Sequence, residues 1–232
     1  DHCLSPHNRV KKMSIQLGGR TIERVWVIDD DPEARQGLAY AVEDTQAEVR
    51  LRTERISDDA EFLRSIDRQS DAVLSDYHLR KRNYSSLNGD HLVASCYRAG
   101  VPAMLCTTFT DAPLSISKSE LRYIPAFFST SNPTPEQIIG GLATCAEEIA
   151  GNFVSERRPW RNQVEVVDED TEHDCLYVIV PGWSLKKKVM LYKRDVPKFV
   201  KYSSSERSFY YAQVNSGAED ASGLYFNGWE RG

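Results

Sequence analysis

"VWVIDDDPEAR", residues 25–35, decides how this chain is read. Its apolar run, rich in β-branched residues, has the length and composition of a buried strand. The run ends abruptly on three aspartates and a proline. Asp31-Pro32-Glu33 has the order of a helix start, with an N-cap, a proline at the first helical position and an acid in the first turn. Asp31 is therefore read as a cap. Asp29 and Asp30 remain as adjacent carboxylates at the mouth of a strand, where lost hydration and mutual repulsion raise their pKa values. Either they splay into solvent or a cation sits among them.

Working outward, the first two thirds of the chain alternates between strand and helix periods. Strands are expected at 24–28, 47–53, 71–76, 101–109 and 124–129. Helices are expected at 31–44, at 58–66, at 89–100 (closed by Gly100), weakly at 116–123, and at 133–153. Such alternation implies right-handed crossovers and a doubly wound parallel sheet covered on both faces. In these sheets functional groups gather beyond the carboxyl ends of the strands. Asp29 and Asp30 end the first strand, Asp76 the third, Thr107 the fourth, and "STS" the fifth. Hard oxygen donors of this kind suit Mg²⁺, which takes one or two carboxylates and keeps several waters. A carboxylate beside such an ion can also accept a phosphoryl group.

These residues, in this order, resemble the receiver domain of bacterial two-component response regulators. The resemblance spans residues 23–150. It implies a five-stranded flavodoxin-like sheet, Asp76 in "VLSDYHL" as phosphoacceptor, and Mg²⁺ held by Asp29, Asp30, Asp76 and the His78 backbone carbonyl. Thr107, with Thr108 beside it, would hydrogen-bond the phosphoryl group. Phe127 or Phe128 would be a switch aromatic, and a sensor histidine kinase or phosphotransfer protein the donor. A homodimer through the strand-four/strand-five face is a further expectation. Two departures stand out. The lysine that receivers carry at the end of strand five is missing, with Thr130 or Ser131 in its place. The segment after Asp76, "YHLRKRNYSSLNG", is long, lacks the usual proline, and carries Arg80, Lys81 and Arg82 as substitute cations.

Composition sets the frame. The 232 residues are 41% hydrophobic, 10% aromatic and 27% charged, as in ordinary globular proteins. No apolar run approaches the length of a membrane span. Five scattered cysteines without a CxxC pair read as reduced thiols, hence a cytoplasmic protein. No His or Cys has a partner at zinc-ligand spacing. Residues 1–22 are read as a flexible leader, with Met13 as a start, and 154–163 as a linker. Residues 164–232 read as a small antiparallel barrel or sandwich, with strands at 164–168, 175–180, 187–193, 198–202, 209–214 and 223–229. The net charge of −5 lies in the first 151 residues, because 152–232 holds 12 Lys+Arg and 12 Asp+Glu. Without excess positive charge or a helix pair, a DNA-binding output is not expected. An interaction module is expected instead, and no enzyme beyond taking and slowly losing a phosphoryl group.

Three functions compete on these grounds. The first is a switch in which Asp76 is phosphorylated with Mg²⁺. The second, favoured by the missing lysine, is a phosphorylation-independent interaction module on the same fold. The third is a haloacid dehalogenase-type phosphohydrolase, which wants Asp-x-Asp-x-Thr or Val after the first strand. Glu33 occupies that last position.

Overall fold

The computed structural model describes residues 14–108, 116–130 and 132–232. Met13, the preceding residues and Ser131 lie outside the described residues, so the expectations placed on them are not addressed. The first unit is built on five parallel strands: β3 (Arg24–Ile28), β4 (Glu48–Leu51), β5 (Asp71–Ser75), β6 (Ala103–Cys106) and β7 (Phe127–Phe128). Their order across the sheet is β4-β3-β5-β6-β7. This is the doubly wound arrangement with a switch point between β3 and β5. Helices α1 (Pro32–Glu43), α2 (Asp59–Arg64), α3 (Gly89–Arg98) and α4 (Pro135–Ile149) cover it.

The central strands read as unbroken apolar runs because both faces are buried. Val73, Cys96, Leu105 and Phe62 pack on one side, and Val25, Val27, Leu74, Met104 and Leu142 on the other. The helix starts follow their local chemistry. The Asp31 side chain accepts from the Glu33 and Ala34 N–H groups at the start of α1. Thr134 and Gln137 form a reciprocal capping box on α4.

The expected flexible leader is corrected from residue 15 onward. Strands β1 (Ile15–Leu17) and β2 (Arg20–Ile22) form an antiparallel hairpin. Its turn is Gly18-Gly19, both at positive φ, where a side chain would strain the backbone. Ile15, Leu17 and Ile22 are buried in the same core cluster as Ile138 and Leu142 of α4. Two three-residue strands are too short to show a period, so the sequence pattern did not reveal them.

The helix expected at 116–123 is also corrected. This stretch is a turn followed by a single 3₁₀ turn, Leu121–Tyr123. Its carbonyls serve partners outside any helix. Lys118 O accepts from Phe226 N–H, Ser119 O from Asn227 Nδ2, and Leu121 O and Arg122 O from Arg157 Nη2. Ser117 also bonds the Ser119 N–H, which favours a local turn.

Phe226 and Asn227 belong to the second unit, and Arg157 to the stretch that leads into it. The second unit consists of β8 (Trp160–Asp170), β9 (Cys175–Val180), β10 (Ser184–Tyr192), β11 (Ser208–Val214) and β12 (Phe226–Arg231). They form one antiparallel sheet in the order β10-β9-β8-β11-β12, so the expected barrel or sandwich is corrected to a single open sheet. It need not close. One face is covered by its own loops, with Val196, Phe199, Val200, Tyr202 and Leu224 packed on it. The start of edge strand β12 bonds to the first unit through Phe226. Residues 198–202 are a loop rather than a strand, turned at Pro197–Val200 and tied to β11 through Tyr210. Strand β8 begins at Trp160, inside the stretch expected to be linker.

The two units meet around Glu148, which is 3% exposed at the end of α4. Arg157 Nε donates to its Oε1 at 2.5 Å, and Arg122 lies 3.6 Å from its Oε2. Arg122 also faces the rings of Tyr97, Phe153 and Tyr225. Lys118 Nζ donates to Ala221 O and Ser222 O at 2.8 and 2.7 Å. Burial pushes its amine down to about 8, against the pull of Asp220 and Asp195. No described helix is long and apolar enough to cross a membrane.

Candidate functional site

Strands β3, β5 and β6 all end at one cavity of about 520 Å³. It is lined by Asp29, Asp30, Asp31, Asp76, His78, Lys81, Thr107 and Thr108, with Ala34 and Leu38 of α1 behind them. The parallel register brings these residues together. Ile28 lies opposite Ser75, and Ser75 opposite Leu105, so the next residues of three strands emerge side by side.

Asp76 sits at the floor. Its backbone N–H bonds Ile28 O, continuing the ladder past the last strand residue. Its carboxylate accepts from the His78 N–H at 2.9 Å and from the Thr107 hydroxyl. Burial nevertheless holds its pKa above the ordinary aspartate value, and these hydrogen bonds pull the other way. Asp29 is pushed up to about 7, first by burial and then by the charges of Asp76, Asp30 and Asp31. The Asp31 N–H opposes that rise. Asp31 is held below its usual range by the N–H groups it caps, in agreement with its reading as a cap.

Gly89, which the sequence reading assigned only to a helix start, shapes this floor. A Cβ there would sit 1.7 Å from Asp76 O and 2.8 Å from Ser75 Oγ. The obstruction is backbone and cannot swing away. Gly89→Ala is expected to lower the melting temperature by roughly 5 °C, taking about 2 kcal/mol of overpacking in a chain of this size. Thermal unfolding followed by circular dichroism checks it.

The three candidate cations go to three places. Lys81 lines the cavity, and its backbone N–H donates to Asp30 Oδ2 at 2.6 Å. Arg82 points at Asp31 from the exposed rim, at 3.6 Å. Arg80 lines a separate cleft with Asp90, His91, Glu120 and Asp195. The loop that carries them is fastened. Leu79 and Tyr84 are buried, the Tyr84 hydroxyl donates to Arg52 O, and Ser85 N–H bonds Leu79 O. Arg82 and Asn83 take φ of 53° and 57°, so the turn is sharp enough to bring Lys81 back over the strand ends. Thr130, one of the two residues expected in place of the strand-five lysine, does not line the cavity. Its hydroxyl accepts from Asn132 N–H. Phe127 and Phe128 are half-buried against opposite cores, Phe127 beside the Val73 cluster and Phe128 beside Met104.

Among the described residues, no three or more His, Cys, Asp or Glu side chains converge into a metal cage. Mg²⁺ does not require one, since it uses few carboxylates and retains water. The donor set fits that ion: Asp29, Asp30 and Asp76 are hard oxygen donors around one cavity, and burial and mutual repulsion leave Asp29 in need of positive charge. The His78 backbone N–H donates to the Asp76 carboxylate.

No family model matches the chain, and no curated protein does. Among solved structures it is similar to a signal receiver domain of an HD domain-containing protein from Pseudomonas fluorescens Pf-5 (14% identity, TM-score 0.41). That match covers 56% of this chain and 90% of the other. A response regulator receiver domain protein from Clostridium thermocellum matches at 16% identity and TM-score 0.40, over 55% and 96% of the two chains. The chemotaxis response regulator CheY4 of Vibrio cholerae matches at 20% identity and TM-score 0.38, over 54% and 99%. The strand order β4-β3-β5-β6-β7 is that of a doubly wound, receiver-like fold.

Proposed function

We propose that this protein is a response-regulator-like signalling switch in which Asp76 accepts a phosphoryl group with Mg²⁺ bound beside it. The observation that carries this reading is the convergence of Asp76, the Thr107 hydroxyl, Asp29, Asp30 and Lys81 on one cavity at the switch point. The chemistry follows from the groups present. An ionised Asp76 carboxylate oxygen forms the new P–O bond while the bond from phosphorus to the donor's leaving group breaks, and the leaving group departs with that electron pair, taking any proton it needs from solvent. The hydrogen bonds at the half-buried floor hold that carboxylate in place. Asp29 and Asp30 would hold Mg²⁺, which neutralises charge on the phosphoryl oxygens. Thr107, already on the Asp76 carboxylate, is placed to bond a phosphoryl oxygen, and Lys81 stands where a cation can pair with another.

Thr107 also begins the segment that the second unit grips at Lys118, Ser119, Leu121 and Arg122. In this reading a change in the Thr107 hydrogen bond is passed to the contact between the units. The function of the β-sheet unit in this reading is to report that change as altered binding of a partner protein. A phosphorylation-independent module is the second reading, favoured by the absence of lysine after β7.

Intact mass after incubation with acetyl phosphate and Mg²⁺, followed by hydroxylamine treatment, separates the two. One added phosphoryl group that hydroxylamine removes and that EDTA prevents supports the switch. No adduct from acetyl phosphate, nor from a panel of histidine kinases, supports the independent module.

The carboxylate crowding makes a further prediction. In EDTA, wild-type protein should gain stability as pH falls from 8 to 6. Asp29 has its pKa raised to about 7 on folding, so stability is present below the unfolded value and is lost as pH rises through the folded one. Asp29→Asn should flatten this trend and remove the rise in melting temperature that Mg²⁺ produces at pH 8. Differential scanning fluorimetry at both pH values measures it.

A further inference from the structure

The second unit holds a cavity that the switch does not use. It measures about 710 Å³ and opens between the 198–201 loop, the start of β11 and the end of β12. Four cations line it, Lys198, Lys201, Arg207 and Arg231, together with the rings of Phe199 and Phe209, and no Asp or Glu lines it. Residues 152–232 as a whole balance acids and bases, so this charge is a product of folding. Three stretches separated in sequence place their cations around one opening.

The walls are built. Lys201 N–H donates to the Tyr210 hydroxyl, and that hydroxyl donates back to Lys201 O, pinning the loop to β11 at 3.0 and 3.2 Å. The Arg231 guanidinium lies 5.5 Å from the centre of the Phe199 ring, and Phe199 packs beside Tyr210. Phe209 is 37% exposed, an uncommon position for a phenylalanine. Among the described residues, Arg207 is the one of these four cations with an ion pair, to half-buried Glu165 at 3.7 Å.

Four converging cations call for a dense polyanion rather than the spaced carboxylates of an acidic peptide. The exposed Phe209 ring beside them offers a stacking surface for a planar base. We propose that this cavity binds a phosphorylated nucleoside, with Lys198, Lys201, Arg207 and Arg231 on the phosphates and Phe209 against the base. A free nucleotide and a nucleotide unit within single-stranded RNA present the same chemistry. Double-stranded DNA is not the ligand, because no element here is shaped to read a major groove.

The test uses full-length protein and three probes: a fluorescent ADP analogue, a fluorescein-labelled short oligouridine, and a fluorescein-labelled polyglutamate peptide. Binding of the ADP analogue or the oligouridine is expected at low salt and should weaken as salt rises. Arg207→Glu combined with Lys198→Glu should weaken it at least tenfold. Both side chains are exposed, so the melting temperature should stay unchanged. Phe209→Ala should weaken the nucleotide probe more than it weakens competition by pyrophosphate. Tighter binding of the ADP analogue identifies a free nucleotide, and tighter binding of the oligouridine identifies a strand. No binding of either probe, binding unaffected by the charge reversals, or preferential binding of polyglutamate overturns the proposal. Asp76→Asn should leave nucleotide binding intact, so this result and the phosphorylation result stand separately.

Discussion

Asp76→Asn protein should take up no phosphoryl group from any donor, while Lys81→Ala protein should take it up at least tenfold more slowly than wild type. Asparagine keeps the shape of Asp76 and the bond from the His78 N–H, so the fold survives. It cannot supply the anionic oxygen that forms the P–O bond. The Lys81 effect rests on its position. It is the Lys or Arg among the described residues that lines the cavity, and its backbone is fixed by the bond to Asp30. Removing one preorganised donor aimed at developing charge costs roughly a hundredfold to a thousandfold in rate, and less where, as at exposed Lys81, solvent screens the charge. Lys81→Arg should recover part of the loss, whereas Arg80→Ala and Arg82→Ala should change the rate less than threefold. Rates come from intact mass over time. Equal rates for Lys81→Ala and wild type would remove Lys81 from the mechanism and leave the strand-five lysine without a substitute.

Glu148→Ala should be the most destabilising single substitution outside the hydrophobic cores. Glu148 is the one acid shared by Arg157 and Arg122, and its carboxylate is 1% exposed. Removing it leaves two guanidinium groups facing each other among aromatic rings. Breaking a buried pair by deleting one partner costs about 3–5 kcal/mol. At roughly 2–4 °C per kcal/mol for a chain of this size, the melting temperature should fall by about 10 °C. Because Arg157 also bonds Leu121 O and Arg122 O, the contact between the two units should loosen first. Limited proteolysis should then cut near residues 150–160 before the sheets unfold. Glu148→Gln, which keeps the size and one acceptor oxygen, should lose less. A fall under about 2 °C for Glu148→Ala would mean that the ion pairs contribute no net stability to the contact.

The cavity at the switch point was legible in the sequence because its residues follow a strict rule of position. Asp29, Asp30, Asp76 and Thr107 each come directly after an apolar strand run, and parallel strands bring such residues to one edge of the sheet. Arg80, Lys81 and Arg82 were legible only as a group of three. Which one enters the cavity depends on two residues at positive φ and on Leu79 and Tyr84 anchoring the turn, and no charge pattern encodes that. Gly89 looked like a helix residue because its constraint comes from Asp76 O, thirteen positions away. The 116–123 stretch has helical propensity, but the carbonyls of Lys118, Ser119, Leu121 and Arg122 are held by residues more than thirty positions further on. Tertiary bonds of that kind override a weak local preference.

By itself, the sequence determined the alternation of strands and helices, the cap at Asp31, and the carboxylates at the strand ends. All of these depend on neighbours a few residues apart, whose spacing a linear reading preserves. Tertiary structure alone decided the hairpin on α4, the single open sheet of the second unit, the Glu148 ion pairs between the units, and the four-cation cavity of a region with no net charge. Each joins residues tens of positions apart, and their free energy comes from desolvation and charge at contacts that exist only once the chain has closed on itself.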